Sequence, residues 1–190
     1  MARHKEFDPD TALDRAMLVF WEQGFEKASM QELVDRMGVH KRSMYDTFGD
    51  KRSLFLKTLD RYISTSEARQ RSIADDATEV VPAVRSMFET VLRDGGGPLG
   101  CFAVNSATES VGQAADVAIR LDRHFGFLRG LLLELVRRGQ RSGEVTAAHS
   151  AEQLAAVLDG AWIGLRVQAR AGVPRRHLLE MIDAMIAMLA

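Results

Sequence analysis

The run GVHKRSMYDTFGDKRSLF, residues 38–55, sets three basic side chains, His40, Lys41 and Arg42, in a row. Hydroxyl groups follow at Ser43, Tyr45 and Thr47, and a second basic pair at Lys51 and Arg52. This combination suits contact with a polyanion. Arginine can donate two hydrogen bonds to O6 and N7 of guanine, discriminating by roughly 1–3 kcal/mol per base, whereas lysine and hydroxyl groups more often hold phosphates and fix register. Tyr45 and Thr47 suit the second role. Lys51 falls where another helix begins, so its ammonium adds to the unpaired amides and positive dipole end that favour a phosphate oxygen. Taken alone, a basic triplet is more often a solvated helix face. The acidic residues Glu32, Asp35, Asp46 and Asp50 lie in the same region and weaken its field. The case for a reading edge therefore rests on the helices around it.

Asp8 precedes Pro9 as cap and first helical residue, and Leu13, Ala16, Met17 and Phe20 make one apolar face up to Gly24. Ser29 and Glu32 have the spacing of a capping box at the start of a second helix, carrying Met30, Leu33, Val34 and Met37. Gly38 stops it. The next apolar pair, Met44 and Phe48, follows so closely that a very short third helix must begin after a tight turn, which is a helix-turn-helix layout. A helix entering a major groove presents the side chains of its N-terminal turn, here His40 to Ser43. Gly49 and Asp50 recap the chain, and Leu54, Phe55, Leu59, Tyr62 and Ile63 mark a longer fourth helix to about Gln70. The acidic stretch 74–79 is the first candidate linker.

Helical spacing continues beyond it, and strand-like alternation is hard to find, so the chain is expected to be all-α, with about nine helices. Val84, Met87, Phe88, Val91 and Leu92 stripe a fifth helix ended by the Gly-rich run 94–98. A short helix from Cys101 to about Glu109 and a long one from about Gln113 to Arg138 follow. Ser150 and Gln153 form a second capping box before Leu154, Val157, Leu158, Ala161, Trp162 and Leu165. Gly172 and Pro174 end that helix, and Leu178, Met181, Ile182, Met185 and Leu189 make the last stripe.

With 190 residues, 46% of them apolar, the chain can bury a real core, but its net charge of −1 supplies no overall field for a polyanion. Any such contact must be local. No apolar run reaches the length of a signal peptide or membrane span, and the single cysteine, Cys101, suits a reducing compartment, so a cytoplasmic protein is expected. The five histidines, His4, His40, His124, His149 and His177, show no metal-ligand spacing, and no nucleophile elbow, P-loop or dinucleotide fingerprint occurs. The expectation is a protein that is not an enzyme and needs neither metal nor cofactor.

The run ASMQELV from Ala28 to Val34, then Gly38 and Val39, KRSMY from Lys41 to Tyr45, Phe48, Asp50 and Lys51 resembles the helix-turn-helix signature of the TetR/AcrR family of bacterial transcriptional regulators. The likeness spans roughly residues 10–62 and thins after 65, although GCFAVNSATES at 100–110 still resembles the sixth-helix segment of one subgroup. It implies a DNA-binding domain at 1–62, with the fourth helix, from about 50, linking it to a ligand-binding and dimerisation domain at 63–190. It also implies phosphate contacts from Ser29, Tyr45, Thr47 and Lys51, with Lys41, Arg42 and Ser43 at bases or adjacent backbone. Three positions depart from the usual pattern: His40 stands where Ser or Thr is common, Arg42 where glycine is frequent and Thr47 where histidine is frequent. They bear on which operator is read.

The resemblance further implies a homodimer on a pseudo-palindromic operator of double-stranded DNA, and repression relieved by a small molecule. Its last two helices would pack against their copies through Leu158, Leu165, Leu178, Met181, Ile182 and Met185. Such an effector must bind the DNA-incompetent state more tightly, each ~1.4 kcal/mol of difference weakening operator binding tenfold. Inward residues of the fifth to eighth helices, Phe88, Leu92, Phe102, Asn105, Phe125, Leu128, Trp162 and Arg166, are the candidate pocket, and their mostly apolar character points to a largely apolar effector. Any single Phe or Leu among them is more often plain core, whereas Asn105 and Arg166 need a partner if buried. Two alternatives stand beside this reading. One is a helical ligand-binding dimer without DNA binding, suggested by the acidic residues near the reading helix. The other is a redox-responsive regulator using Cys101, which lacks a second cysteine to resolve a sulfenic acid.

Overall fold

The computed structural model describes residues 7–93 and 99–190, and every regular element among them is helical. The loop expected at 94–98 lies outside the described residues. The order is α1 Pro9–Gln23, α2 Met30–Met37, α3 Lys41–Phe48, α4 Lys51–Asp75, α5 Val80–Arg93, α6 Phe102–Thr108, α7 Ala115–Ser142, α8 Ala151–Arg170 and α9 Arg175–Ala187. A 3-10 turn at Ser110–Gln113 separates α6 from α7.

Local signals set the starts. Asp8 accepts the Thr11 amide at 3.0 Å with Pro9 in the first helical position. Ser29 Oγ accepts the Glu32 amide at 3.1 Å, but the Glu32 carboxylate accepts from Gln23 Nε2 of α1. The box expected at Ser29 and Glu32 is therefore half formed, because α1 offers Glu32 a donor outside its own helix. Ser150 and Gln153 make the complete box, at 3.2 and 3.0 Å. Gly38, at φ 68°, closes α2 in the left-handed region, where a side chain is strained; this lets α3 begin at Lys41.

The fourth helix overruns its expected end at about Gln70 and reaches Asp75, so the linker shrinks to 76–79. Tertiary contacts hold the extra turn. Ala74 is buried in the core, Arg71 pairs with Glu134 of α7 at 2.9 Å, and Arg138 donates to the carbonyls of Ala74 and Ala77 at 3.3 and 3.2 Å. The seventh helix starts two residues late, after the 3-10 turn, and runs through Gly126 and Gly130 to Ser142.

Two apolar clusters form. The first joins α1–α4 but also takes Cys101, Phe102, Ala103 and Val104 around α6, Val111 from the 3-10 turn, and Val117 and Leu121 of α7. Its aromatic spine runs Phe20–Phe55 (5.3 Å between ring centroids), Phe55–Phe102 (5.7 Å), Phe102–Tyr62 (5.8 Å) and Tyr62–Trp21 (5.0 Å). The second is built by the end of α4 with α5, α7, α8 and α9.

The stripe expected between subunits divides. Leu158, Leu165, Leu178 and Ile182 are buried within the protomer, where their bulk fills the second core, and Met181 and Met185 remain partly exposed beside it. The open face of α8 is a different set: Val157 and Val167 are half exposed, and nothing lies within 4 Å of a Cβ built on Gly160 or Gly164. On α9, Ala184 and Met188 are exposed.

His124 of α7 is 1% exposed, and its Nδ1 lies 3.0 Å from Glu67 Oε1 of α4. Burial lowers its pKa below the usual 6.5; Glu67 opposes the fall, and the charges of Arg166 and Arg123 add to it. As pH drops through 6.5, the unfolded chain takes up a proton that the folded chain refuses. Stability present above that pH is then lost until the folded value is reached. The thermal midpoint should fall between about pH 7 and about pH 5.5, and fall less in His124→Asn; parallel curves would clear His124 of any part in it.

Candidate nucleic-acid interface and cavity

The short α3 is fastened by two side chains, Met44 at 0% and Phe48 at 4% exposure. With these turned inward, His40, Lys41, Arg42 and Tyr45 are exposed and Ser43 and Thr47 half-buried. Ser29 at the head of α2 is exposed and Lys51 at the head of α4 is half-buried. None of the eight side chains is spent on the core. His40 occupies the N-cap of α3 without a capping bond from its imidazole. Lys51 Nζ donates to the Glu26 carbonyl at 3.3 Å and lies 4.6 Å from the centre of the Phe25 ring. Lys57, which the sequence reading passed over, donates to the carbonyls of Thr47 and Phe48 at 3.2 and 3.4 Å and so ties the end of α3 to α4.

The nearby acids are occupied. Asp46 lies 3.9 Å from Arg42, Asp35 accepts from Gln31 at 2.9 Å, and Asp50 accepts the Ser53 amide at 2.7 Å. That amide bond is the main reason the Asp50 carboxyl stays below its ordinary range. A charge-assisted cap at Asp50 also means that the start of α4 offers fewer free amides to a phosphate than an uncapped helix would.

A cavity of about 400 Å³ opens where α1, α4 and α8 meet. Asp14, Met17 and Trp21 line it from α1; Arg61, Tyr62, Thr65, Ser66, Arg69 and Gln70 from α4; and Arg166 from α8. Arg61 bridges α4 to α1, reaching Asp14 and Asp10, each at 2.9 Å. Tyr62 donates to Cys101 Sγ at 3.2 Å, and burial, with Cys101 beside it, holds the phenol well above its usual range, so it stays protonated. Cys101 is itself 3% exposed.

Of the eight residues expected to form a pocket, only Arg166 lines this cavity. Phe88, Leu128 and Trp162 are buried in the second core, where Phe88 meets Trp162 edge to face at 5.4 Å, and Leu92 packs on it half-buried. Phe102 belongs to the aromatic spine, and Phe125 packs against the same first core. Asn105 donates to the Leu99 carbonyl at 2.8 Å, an oxygen shared with Trp21 at 2.9 Å and Arg170 at 2.8 Å. The large apolar side chains of α5, α7 and α8 fill one another's space. Gln70 was readable as a signal: it occupies the inward register of α4, between Ile63 and Ala74, where an apolar residue is otherwise expected.

The family described as bacterial regulatory proteins, tetR family, matches residues 12–58, and the tetracyclin repressor-like C-terminal domain matches residues 77–185. The chain is 29% identical to the uncharacterized HTH-type transcriptional regulator YezE of Bacillus subtilis over the full length of both. It is also 29% identical to the HTH-type transcriptional repressor ComR of Escherichia coli, covering 94% of this chain and 87% of ComR. Among solved structures, a cysteine mutant of the TetR family regulator CifR, complexed with 26-bp double-strand operator DNA, superposes with a TM-score of 0.88. The two are 31% identical, with both chains covered completely. Profile, identity and superposition, each reaching across the reading helix and the helices behind it, agree that the chain belongs to the TetR family of transcriptional regulators.

Proposed function

We propose that this regulator is a repressor that reads a pseudo-palindromic operator as a homodimer and leaves it when a small molecule binds. The observation that carries this is the edge His40–Ser43, with His40, Lys41 and Arg42 exposed and Ser43 half-buried, on a helix whose other side is locked by Met44 and Phe48. His40, Lys41, Arg42 and Ser43 are the base-reading side and Ser29, Tyr45, Thr47 and Lys51 the phosphate grips. The CifR complex with operator DNA and the repressor ComR support the reading.

In the proposed dimer, α8 and α9 meet their copies through the open face at Val157, Gly160, Gly164, Val167, Ala184 and Met188, with Met181 and Met185 at its margin. The two glycines let backbones approach closely. Residues 1–62 act as the reading head and 63–190 as the sensing and dimerisation body, with DNA as a target that places the protein in the cytoplasm. The coupling runs through α4, which is unbroken from Lys51 to Asp75, and through α6, whose Phe102 sits in the head's core.

Selection from a randomised duplex pool tests the reading. An inverted repeat should be enriched, and its affinity should fall with added salt as phosphate contacts release counterions. Failure to enrich any sequence would overturn it.

A further inference from the structure

We propose that the cavity between α1, α4 and α8 binds a small organic anion, a carboxylate carried on an aromatic or short aliphatic body, with Arg166 as its charge partner. Arg166 is 5% exposed, yet it takes part in no salt bridge among the described residues, and its Nε has no hydrogen-bond partner. Its one bond is long, from Nη2 to Thr90 Oγ1 at 3.4 Å, and its guanidinium lies 4.4 Å from the Trp162 ring centre. Stacking offsets only part of the cost of burying a cation, which ordinarily requires an anion beside it.

A second orphan lies in the same place. Gln70 Nε2 donates to the same Thr90 Oγ1 at 3.1 Å, leaving Oε1 buried without a partner. Thr90 Oγ1 donates in turn to the Met87 carbonyl at 2.7 Å, so it is saturated and cannot serve either orphan further. An unmatched cation and an unmatched acceptor thus converge on one wall. A carboxylate satisfies the first, and a hydroxyl or amide N–H a few bonds away satisfies the second. Trp21, Tyr62 and Met17 line the cavity too and give a ring or acyl chain its apolar contact. Asp14, the carboxylate on the α1 side, is already neutralised by Arg61 at 2.9 Å.

This deepens the effector half of the function proposed above and rests on that reading for its consequence at DNA. It replaces a largely apolar effector with an anionic one. The α1–α4 clamp supplies the link. A ligand body seated against Trp21 and Tyr62 lies beside the pairing of Arg61 with Asp14 and Asp10, and displacing that clamp shifts the reading head against α4.

Isothermal titration and thermal shift on the full chain without DNA test the site. The probes are benzoate, 3-hydroxybenzoate, 3-phenylpropionate and hexanoate, each against its neutral primary amide. At least one carboxylate should bind at millimolar concentration or better, with its amide at least tenfold weaker. Arg166→Gln should remove that preference, and Arg166→Lys should retain part of it. Binding by none of the four, equal binding of acid and amide, or an Arg166→Gln chain that binds as wild type would each overturn the proposal. If Arg166→Gln does not fold, the acid and amide comparison on wild type still decides. Operator affinity of the ligand-free chain is measured separately, so failure of the regulator reading shows there and failure of the anion site shows in the titration.

Discussion

Arg42→Ala should weaken binding to the selected operator by roughly 30-fold to 20,000-fold while leaving the fold unchanged, from about 1–3 kcal/mol per base contact in each of two half-sites. The fold should survive because the Arg42 side chain is 88% exposed and its one ion pair, with Asp46 at 3.9 Å, is a solvent-screened contact within the same helix. Its large effect comes from the dimer, which repeats every loss. Binding to a random duplex should fall far less. Fluorescence anisotropy at fixed salt on both duplexes separates the two. Equal losses would make Arg42 a phosphate grip and pass the reading role to Lys41 and Ser43. His40 gains interest on the same grounds, since an N-cap residue whose ring makes no capping bond can turn toward DNA without cost to its helix.

The reading head was readable from sequence because its determinants are local. Asp8 with Pro9, Ser29, Gly38 and Asp50 each act within a few residues of themselves, and Met44 and Phe48 share one face of a helix too short to hide much else. The cavity was not readable as a whole, although Gln70 marked one position of it in the inward register of α4. Gln70 and Arg166 meet only after α4, α5 and α8 have packed, and their common partner Thr90 lies on α5, far from either in sequence. Periodicity could show that α8 and α9 have apolar stripes, but not which stripe faces inward. Packing chose Leu158, Leu165, Leu178 and Ile182 for the core because bulky side chains fill it, leaving glycine, alanine and valine outside. The half-formed box at Glu32 has the same origin: Gln23 is a tertiary donor, and no local pattern announces it.

Phe55→Ala should cost about 3–5 kcal/mol, the range for removing a buried phenyl ring, and lower the thermal midpoint by roughly 6–20 °C for a domain of this size. Phe55 is 1% exposed and touches three rings from different parts of the chain: Phe20 of α1 at 5.3 Å, Phe25 after α1 at 5.1 Å and Phe102 of α6 at 5.7 Å. The loss is therefore not confined to the head. With α6 inserted in the first core, the Phe25 amide donating to Glu109 at 2.8 Å, and α4 shared by both clusters, head and body should unfold as one unit. Trp21 reports on the first core and Trp162 on the second. At one protomer concentration, fluorescence of Trp21→Phe, far-UV circular dichroism and their Phe55→Ala counterparts should give coincident transitions that shift together. A body signal from Trp162 that stays in place while Phe55→Ala moves the rest would show two independent units divided near residue 62. Coupling between effector and operator would then have to pass through α4 alone, and Phe102 would lose its place in it.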